Sequence, residues 1–241
     1  KEDIFFVAAN AGLAYSDNPL RTVDSVGGSG SNEAGLTVGM QTIVAGDIDL
    51  GASVNFETTR YFEDFAPSNN VASGALSAGT ALGKTQLYLG LAAFGGWNLD
   101  SELKRPSSFH GASVQLSAPV PVSANLLLQP LLVASRVLSE TQENDLYSVG
   151  GRLTATTRVG IAVVSASVSA TRFWYDNFYE DVTFVARRDW QYEAGLLAAV
   201  PVGRNVRLGA SARFTRRDSS FFLSNYDSLD GGVAFSARWQ F

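Results

Sequence analysis

The side chains able to do chemistry in this 241-residue chain are few in kind. Cysteine is absent, which removes disulfides and thiolate metal sites, and one histidine and one methionine leave little imidazole or thioether chemistry. A histidine acts as base only on a hydroxyl within hydrogen-bond reach, and on a strand the same-face neighbours in sequence stand two residues away. Position 112 after His110 is alanine, Ser113 has the opposite parity, and Ser108 falls in a segment that reads as loop. His110 therefore reads as an interface residue; no catalytic residue is assigned and no enzyme activity is expected. Carboxylates crowd the segments between patterned stretches: Glu63, Asp64, Asp100, Glu102, Glu140, Glu143, Asp145, Asp176, Glu180 and Asp181. Their spacing matches no defined calcium loop, so they read as solvated surface, with no metal and no cofactor expected. Residues 27–31 are a flexible tip, and no Lys-Ser/Thr pair follows to make it a phosphate loop.

Arginine is the more informative type. Arg152, Arg207, Arg213 and Arg238 each fall on the polar parity of an alternating segment, as do Asp49 and Glu57 on a distant one. Glu193 and Asp230 sit among the arginines as candidate ion-pair partners. A guanidinium offers a planar fork that suits carboxylates and phosphates. Walls of unlike charge facing one another would set a transverse field across a narrow passage. The same residues could instead be structural ion pairs that fill it.

Elements that would bring these residues together must be strands. Mean hydropathy is +0.05, net charge is −5, and no stretch approaches the ~18 to 20 apolar residues of a membrane-spanning helix. Alternation at period two is clear in residues 231–241, where Val233, Phe235, Ala237, Trp239 and Phe241 oppose Gly232, Ala234, Ser236, Arg238 and Gln240. It recurs in 206–215, 190–200, 48–57, 36–41 and 111–117, and less cleanly in 4–16, 72–82, 85–97, 124–137, 146–156 and 161–174. The segment 124–137, with Leu126, Leu127 and Leu128, is apolar on both parities. Short connections near 45–47, 83–84, 119–123, 157–160 and 201–205 alternate strictly with long ones near 17–33, 60–71, 98–109, 139–145, 175–188 and 216–228. This is the arrangement of an all-β, closed antiparallel transmembrane β-barrel of about twelve strands, a single domain spanning 1–241. An even strand count puts both termini on the periplasmic side. Lys1-Glu2-Asp3 leads directly into patterned sequence, as expected where a leader was removed or never present. A polar face of glycine, alanine, serine, arginine and glutamine would make a poor dry core, which argues against a soluble sandwich.

Aromatics on the lipid-facing parity cluster at strand ends: Tyr15, Phe56, Trp97, Trp174, Trp190, Tyr192 and Phe214 at the long-loop end, and Phe5, Trp239 and Phe241 at the other. That spacing predicts two interfacial belts. Arg60, Arg136 and Arg172 share this parity near the long-loop end, where lipopolysaccharide phosphates are the natural partners.

The terminal Phe241, with Trp239, Phe235 and Val233 at alternating spacing, resembles the closing strand of bacterial outer-membrane proteins. The resemblance implies an outer-membrane location and recognition of the last strand by the barrel-assembly machinery. Ala14-Tyr15-Ser16-Asp17-Asn18-Pro19 is similar to the opening of barrels encoded with exopolysaccharide export systems. The inward arginines resemble, in general kind, those of twelve-stranded channels for acidic oligosaccharides. The expected function is a porin-like channel for passive passage of small hydrophilic, anionic, saccharide-like solutes. One alternative is a non-conducting barrel of an envelope or exopolysaccharide export assembly, with an envelope protein as partner. Another is an outer-membrane hydrolase. No basic run marks a nucleic-acid partner.

Overall fold

In the computed structural model, residues 3–21, 27–44, 48–63, 68–82, 87–99, 107–140, 145–179 and 186–241 are described. Asp64, Asp100, Glu102, Glu143, Glu180, Asp181 and the turns at 45–47 and 83–84 lie outside them. The strands in chain order are β1 (Ile4–Ser16), β2 (Ser29–Val44), β3 (Ile48–Tyr61), β4 (Asn69–Ala81), β5 (Tyr88–Leu99), β6 (Ser107–Ser117), β7 (Val120–Ser123), β8 (Leu126–Ser139), β9 (Leu146–Val159), β10 (Ala162–Tyr179), β11 (Ala186–Pro201), β12 (Val206–Ser219) and β13 (Tyr226–Gln240). All pair antiparallel with their neighbours. β1 pairs with β13 from Phe6–Gln240 to Ser16–Asp230, and β6 pairs with β8 from Phe109–Ser139 to Ser117–Leu131. The sheet thus closes into a twelve-stave barrel, as the lack of hydrogen-bonding partners in lipid requires of a spanning sheet. Phe5 and Phe241 exchange both backbone hydrogen bonds, so the seam is stitched to the last residue.

The thirteenth strand corrects the expected turn at 119–123. Residues 120–123 form β7, which pairs with β8 through Val120–Leu128 and Pro121–Leu127. β7 continues the line of β6 along β8 after an interruption at Ala118-Pro119, because Pro119 has no N–H to give the ladder. It adds length to one stave rather than a stave to the ring. The turn between β9 and β10 is two residues long, Gly160-Ile161, and Gly160 takes φ +61°, a conformation that favours glycine.

Most strands run past the expected boundaries at the long-loop end. They contain 11–18 residues apart from β7, where ~9 to 11 tilted residues cross the hydrocarbon layer. The surplus builds a collar, and residues 29–33, 107–109, 175–179, 186–188 and 216–219, expected as loop, are strand, so the expected flexible tip at 27–31 is in large part the start of β2.

Which face is the lumen follows from one cavity. Glu33 on β2 and Arg152 on β9 line the same space, although six pairings separate their strands around the ring, so both point inward. Register then carries that parity through every pair. The outward set is apolar and open to its surroundings: Val54 is 66% exposed, Leu76 65% and Leu196 60%. The buried residues of the inward parity are polar: Asp189 is fully buried, with Ser228, Ser29 and Thr215 close behind, and Tyr175 is the one buried hydrophobic residue among those described. A soluble protein shows the reverse. Oil outside and polar groups inside is the distribution of a membrane barrel.

The outward aromatics Tyr15, Phe56, Trp97, Trp174, Trp190, Tyr192 and Phe214 lie toward the long-loop end, joined there by Tyr147, while Phe5, Trp239 and Phe241 lie at the other. Replacing outward Leu196 by arginine is expected to cost ~2 to 4 kcal/mol of folding stability in bilayers, the range for a cation near the midplane. Arginine at inward Ser211 should cost far less. Equal losses in urea titrations of liposome-folded protein would contradict the face assignment.

Candidate functional site in the lumen

The wall formed by β9–β13 carries the lumen's arginines. Arg152 reaches Glu193 at 3.3 Å across the intervening Ser169 of β10, which also donates to Glu193 at 3.3 Å. Arg213 meets its direct cross-strand neighbour Asp230 at 3.2 Å. Both arginines remain about half exposed, 51% and 52%, so each keeps donors for a passing solute. Toward the short-turn end, Arg207 and Arg238 face inward as diagonal neighbours on β12 and β13. Neither has a carboxylate partner among the described residues; Arg238 lies 4.4 Å over the ring of Phe6.

The opposite wall carries acids. Asp49 accepts from Tyr88 at 3.3 Å, and Glu57 accepts from Asn55 at 2.9 Å, which in turn accepts from Thr37 at 2.8 Å. Glu33 extends this wall on β2. Asp49, Glu57, Glu193, Arg152, Arg207, Arg213 and Arg238 thus all lie on the inward face.

Space between the walls is made by small residues. A cavity of about 550 Å³ is lined by Gly12, Glu33, Arg152, Ser167, Ser211 and Arg213. A second, of about 290 Å³, shares Arg152 and adds Ser148, Thr171 and Phe173. A third, of about 390 Å³, lies at the short-turn end against Asp49, Tyr88 and Gln115. The Tyr88 side chain reaches over Gly79, and Phe6 over Gly39, where a Cβ would collide with either ring. These glycines hold large side chains against the wall and out of the passage.

The long-loop end is tighter, and its residues were not legible from parity alone. Asp189 is clamped by Arg187 at 2.8 Å and Arg217 at 2.6 Å, and it accepts from Ser219. Arg217 also donates to the Tyr175 hydroxyl at 2.5 Å. Arg21, just past β1, turns its side chain into the lumen, donating to Ser228 and to Asp230, the latter at 2.8 Å. Its backbone takes φ 55°, a costly conformation for a residue with a Cβ, so the chain is bent there to deliver the guanidinium. Burial works against that charge, and Asp230 outweighs it, holding the Arg21 pKa above the ordinary arginine value. The 14–19 segment feeds this bend. Asp17 pairs with Leu229 through backbone and side chain, and Asn18 donates to the Asp227 carbonyl, extending the β1–β13 seam beyond the strands.

Away from the lumen, Ser108 corrects an expectation. It belongs to β6 and shares the outward face with His110, two residues apart. Glu140 lies on Ser108, accepting from its N–H at 3.1 Å and its hydroxyl at 3.4 Å. His110 has no hydrogen-bond partner among the described residues. A nucleophilic serine needs its base in contact and the carboxylate behind the base; here the carboxylate is on the serine.

The architecture is that of a bacterial outer-membrane β-barrel. No family model matches the chain, and no curated protein does. Among solved structures it is similar to an outer-membrane channel from Pseudomonas putida F1, with TM-score 0.59, 11% identity and coverage of 98% of this chain and 95% of that one. It is similar to the NanC porin, with TM-score 0.56, 11% identity and coverage of 95% and 98%. It is also similar to outer-membrane phospholipase A from Escherichia coli, with TM-score 0.53, 16% identity and coverage of 95% and 92%. At these identities the likeness is one of fold.

Proposed function

We propose that the protein is a passive channel for small hydrophilic solutes with a preference for anions. The observation that carries this reading is the pair Arg207 and Arg238, inward, exposed and without a carboxylate partner among the described residues, on the wall that also presents half-exposed Arg152 and Arg213. An acidic saccharide or other small carboxylate passing this wall would exchange hydration for guanidinium hydrogen bonds. Asp49 and Glu57 on the far wall would steer it toward the arginines. An anion about 5 Å from two such cations in a watery pore gains roughly 1.7 kcal/mol before screening by salt, or about a fifteen- to twentyfold enrichment over a pore without them. The Arg207→Ala, Arg238→Ala double variant should lose that preference in single-channel reversal potentials at 0.1 M salt. The difference should shrink in 1 M salt, where the Debye length is about 3 Å. Unchanged selectivity in the double variant would remove the role given to these residues.

Arg21 narrows the long-loop mouth in this reading. Arg21→Ala should raise single-channel conductance while leaving the sign of selectivity intact; unchanged conductance would place the constriction elsewhere. The tight long-loop end also favours a second reading, a non-conducting barrel in an envelope assembly. Silent bilayers together with a stoichiometric envelope partner would support it.

A further inference from the structure

The outer surface over β9–β12 carries a second arginine arrangement, separate from the lumen. Arg172 on β10 lies directly opposite Trp190 on β11, and Trp174 lies directly opposite Arg188. The four outward side chains form a checkerboard with arginines on one diagonal and tryptophans on the other. Diagonal neighbours stand about 7–8 Å apart on such a face, within the span of two long side chains closing on one anion. The Arg172 guanidinium lies 5.1 Å from the Trp190 ring and 5.9 Å from that of Trp174, and Trp190 stacks on Tyr192. The nearby outward arginines are already neutralised: Arg136 by Asp176 at 2.5 Å over the Tyr147 ring, and Arg216 by Asp218 at 3.0 Å. Arg172 and Arg188 have no carboxylate partner among the described residues. They sit in the aromatic belt, where headgroups lie.

Below them, toward the middle of the membrane on the same strands, is an apolar groove of about 490 Å³. Its floor is Ala155, Ala166, Ala194 and Ala212, and its sides include Leu196 and Phe214. The register puts Val168–Ala194, at the groove's upper end, two outward rows below Arg172–Trp190. A cation pair at headgroup depth above an acyl-sized groove matches one molecule with an anionic head and a hydrocarbon tail.

We propose that this face binds a phosphorylated membrane lipid, its phosphate held by Arg172 and Arg188 and one acyl chain lying in the alanine-floored groove. The site is independent of the lumen, so conduction and lipid binding stand or fall separately. Native mass spectrometry of the detergent-solubilised barrel, with diphosphoryl lipid A as the probe, tests it. The wild type should retain one lipid, and Arg172→Gln, Arg188→Gln should weaken retention roughly tenfold or more, the loss expected for two charge-assisted donors. Ala194→Phe, which fills the groove and spares the arginines, should weaken it as well. Heat-modifiable migration on gels confirms that each variant is folded, and bilayer conductance should not change. Undiminished retention in the double glutamine variant would overturn the proposal. So would diacylglycerol binding as well as the phosphorylated lipid, which would make the groove unspecific, or inorganic phosphate displacing the lipid at equal concentration, which would make the site one for free anions.

Discussion

Replacing Asp189 by alanine should destabilise the barrel by ~3 to 5 kcal/mol, the range for removing one partner from a buried ion pair. Asp189 is fully buried, while Arg187 and Arg217 are 14% and 17% exposed, and both direct their guanidinium groups at its carboxylate. Without it, two cations face each other inside a collar that water barely reaches. The hydroxyls of Tyr175 and Ser219 supply dipoles but no charge. Glu193→Ala provides the control. It also strands an arginine, but Arg152 is half exposed, so water replaces the lost partner and the cost should fall in the ~0 to 1 kcal/mol range of solvated pairs. Urea unfolding of both variants in liposomes reads the difference. Similar losses for the two would mean that the collar is far wetter than its burial implies.

The second large effect is the loss of anion preference in the Arg207→Ala, Arg238→Ala variant. The two arginines act together because they are diagonal neighbours on adjacent strands and neither has a carboxylate partner among the described residues. Arg213→Ala, by contrast, removes a cation already balanced by Asp230 and leaves that acid to Arg21. It should shift selectivity less than either unpaired arginine does. If Arg213 dominated instead, the ion pair would have to open during permeation.

Much of this was legible in the sequence, for a physical reason. Wherever a strand crosses lipid, one parity must be apolar, and 231–241 or 206–215 announce both the strand and its inward side. That parity placed Arg152, Arg207, Arg213 and Arg238 on the inner face and Arg60, Arg136 and Arg172 on the outer one. The signal ends where lipid ends. Arg187-Arg188-Asp189 and Arg216-Arg217-Asp218 alternate without an apolar member, so they read as loop, yet they are strand and hold the Asp189 cluster. β7 was hidden by Pro119 and Pro121, which read as a turn; Pro119 interrupts the stave, and Pro121 lies within β7 opposite Leu127. Arg21 left no trace, because a backbone bent at positive φ is a property of the folded chain. Nor could the sequence pair Arg172 with Trp190 and Trp174 with Arg188, since that needs the β10–β11 register, set across a loop of unknown effective length.

A wet lumen and an oily exterior lie one residue apart along each strand, and the proposed anion preference belongs to the lumen side alone. Because the chain has no cysteine, a single introduced thiol is unique. Ser211→Cys faces the lumen cavity and Ala210→Cys faces lipid. In liposomes or planar bilayers, a charged water-soluble thiol reagent should modify position 211 and lower conductance, faster for an anionic reagent than for a cationic one, and should leave position 210 untouched. Equal labelling of the two positions, or an unreactive thiol at 211, would contradict the account.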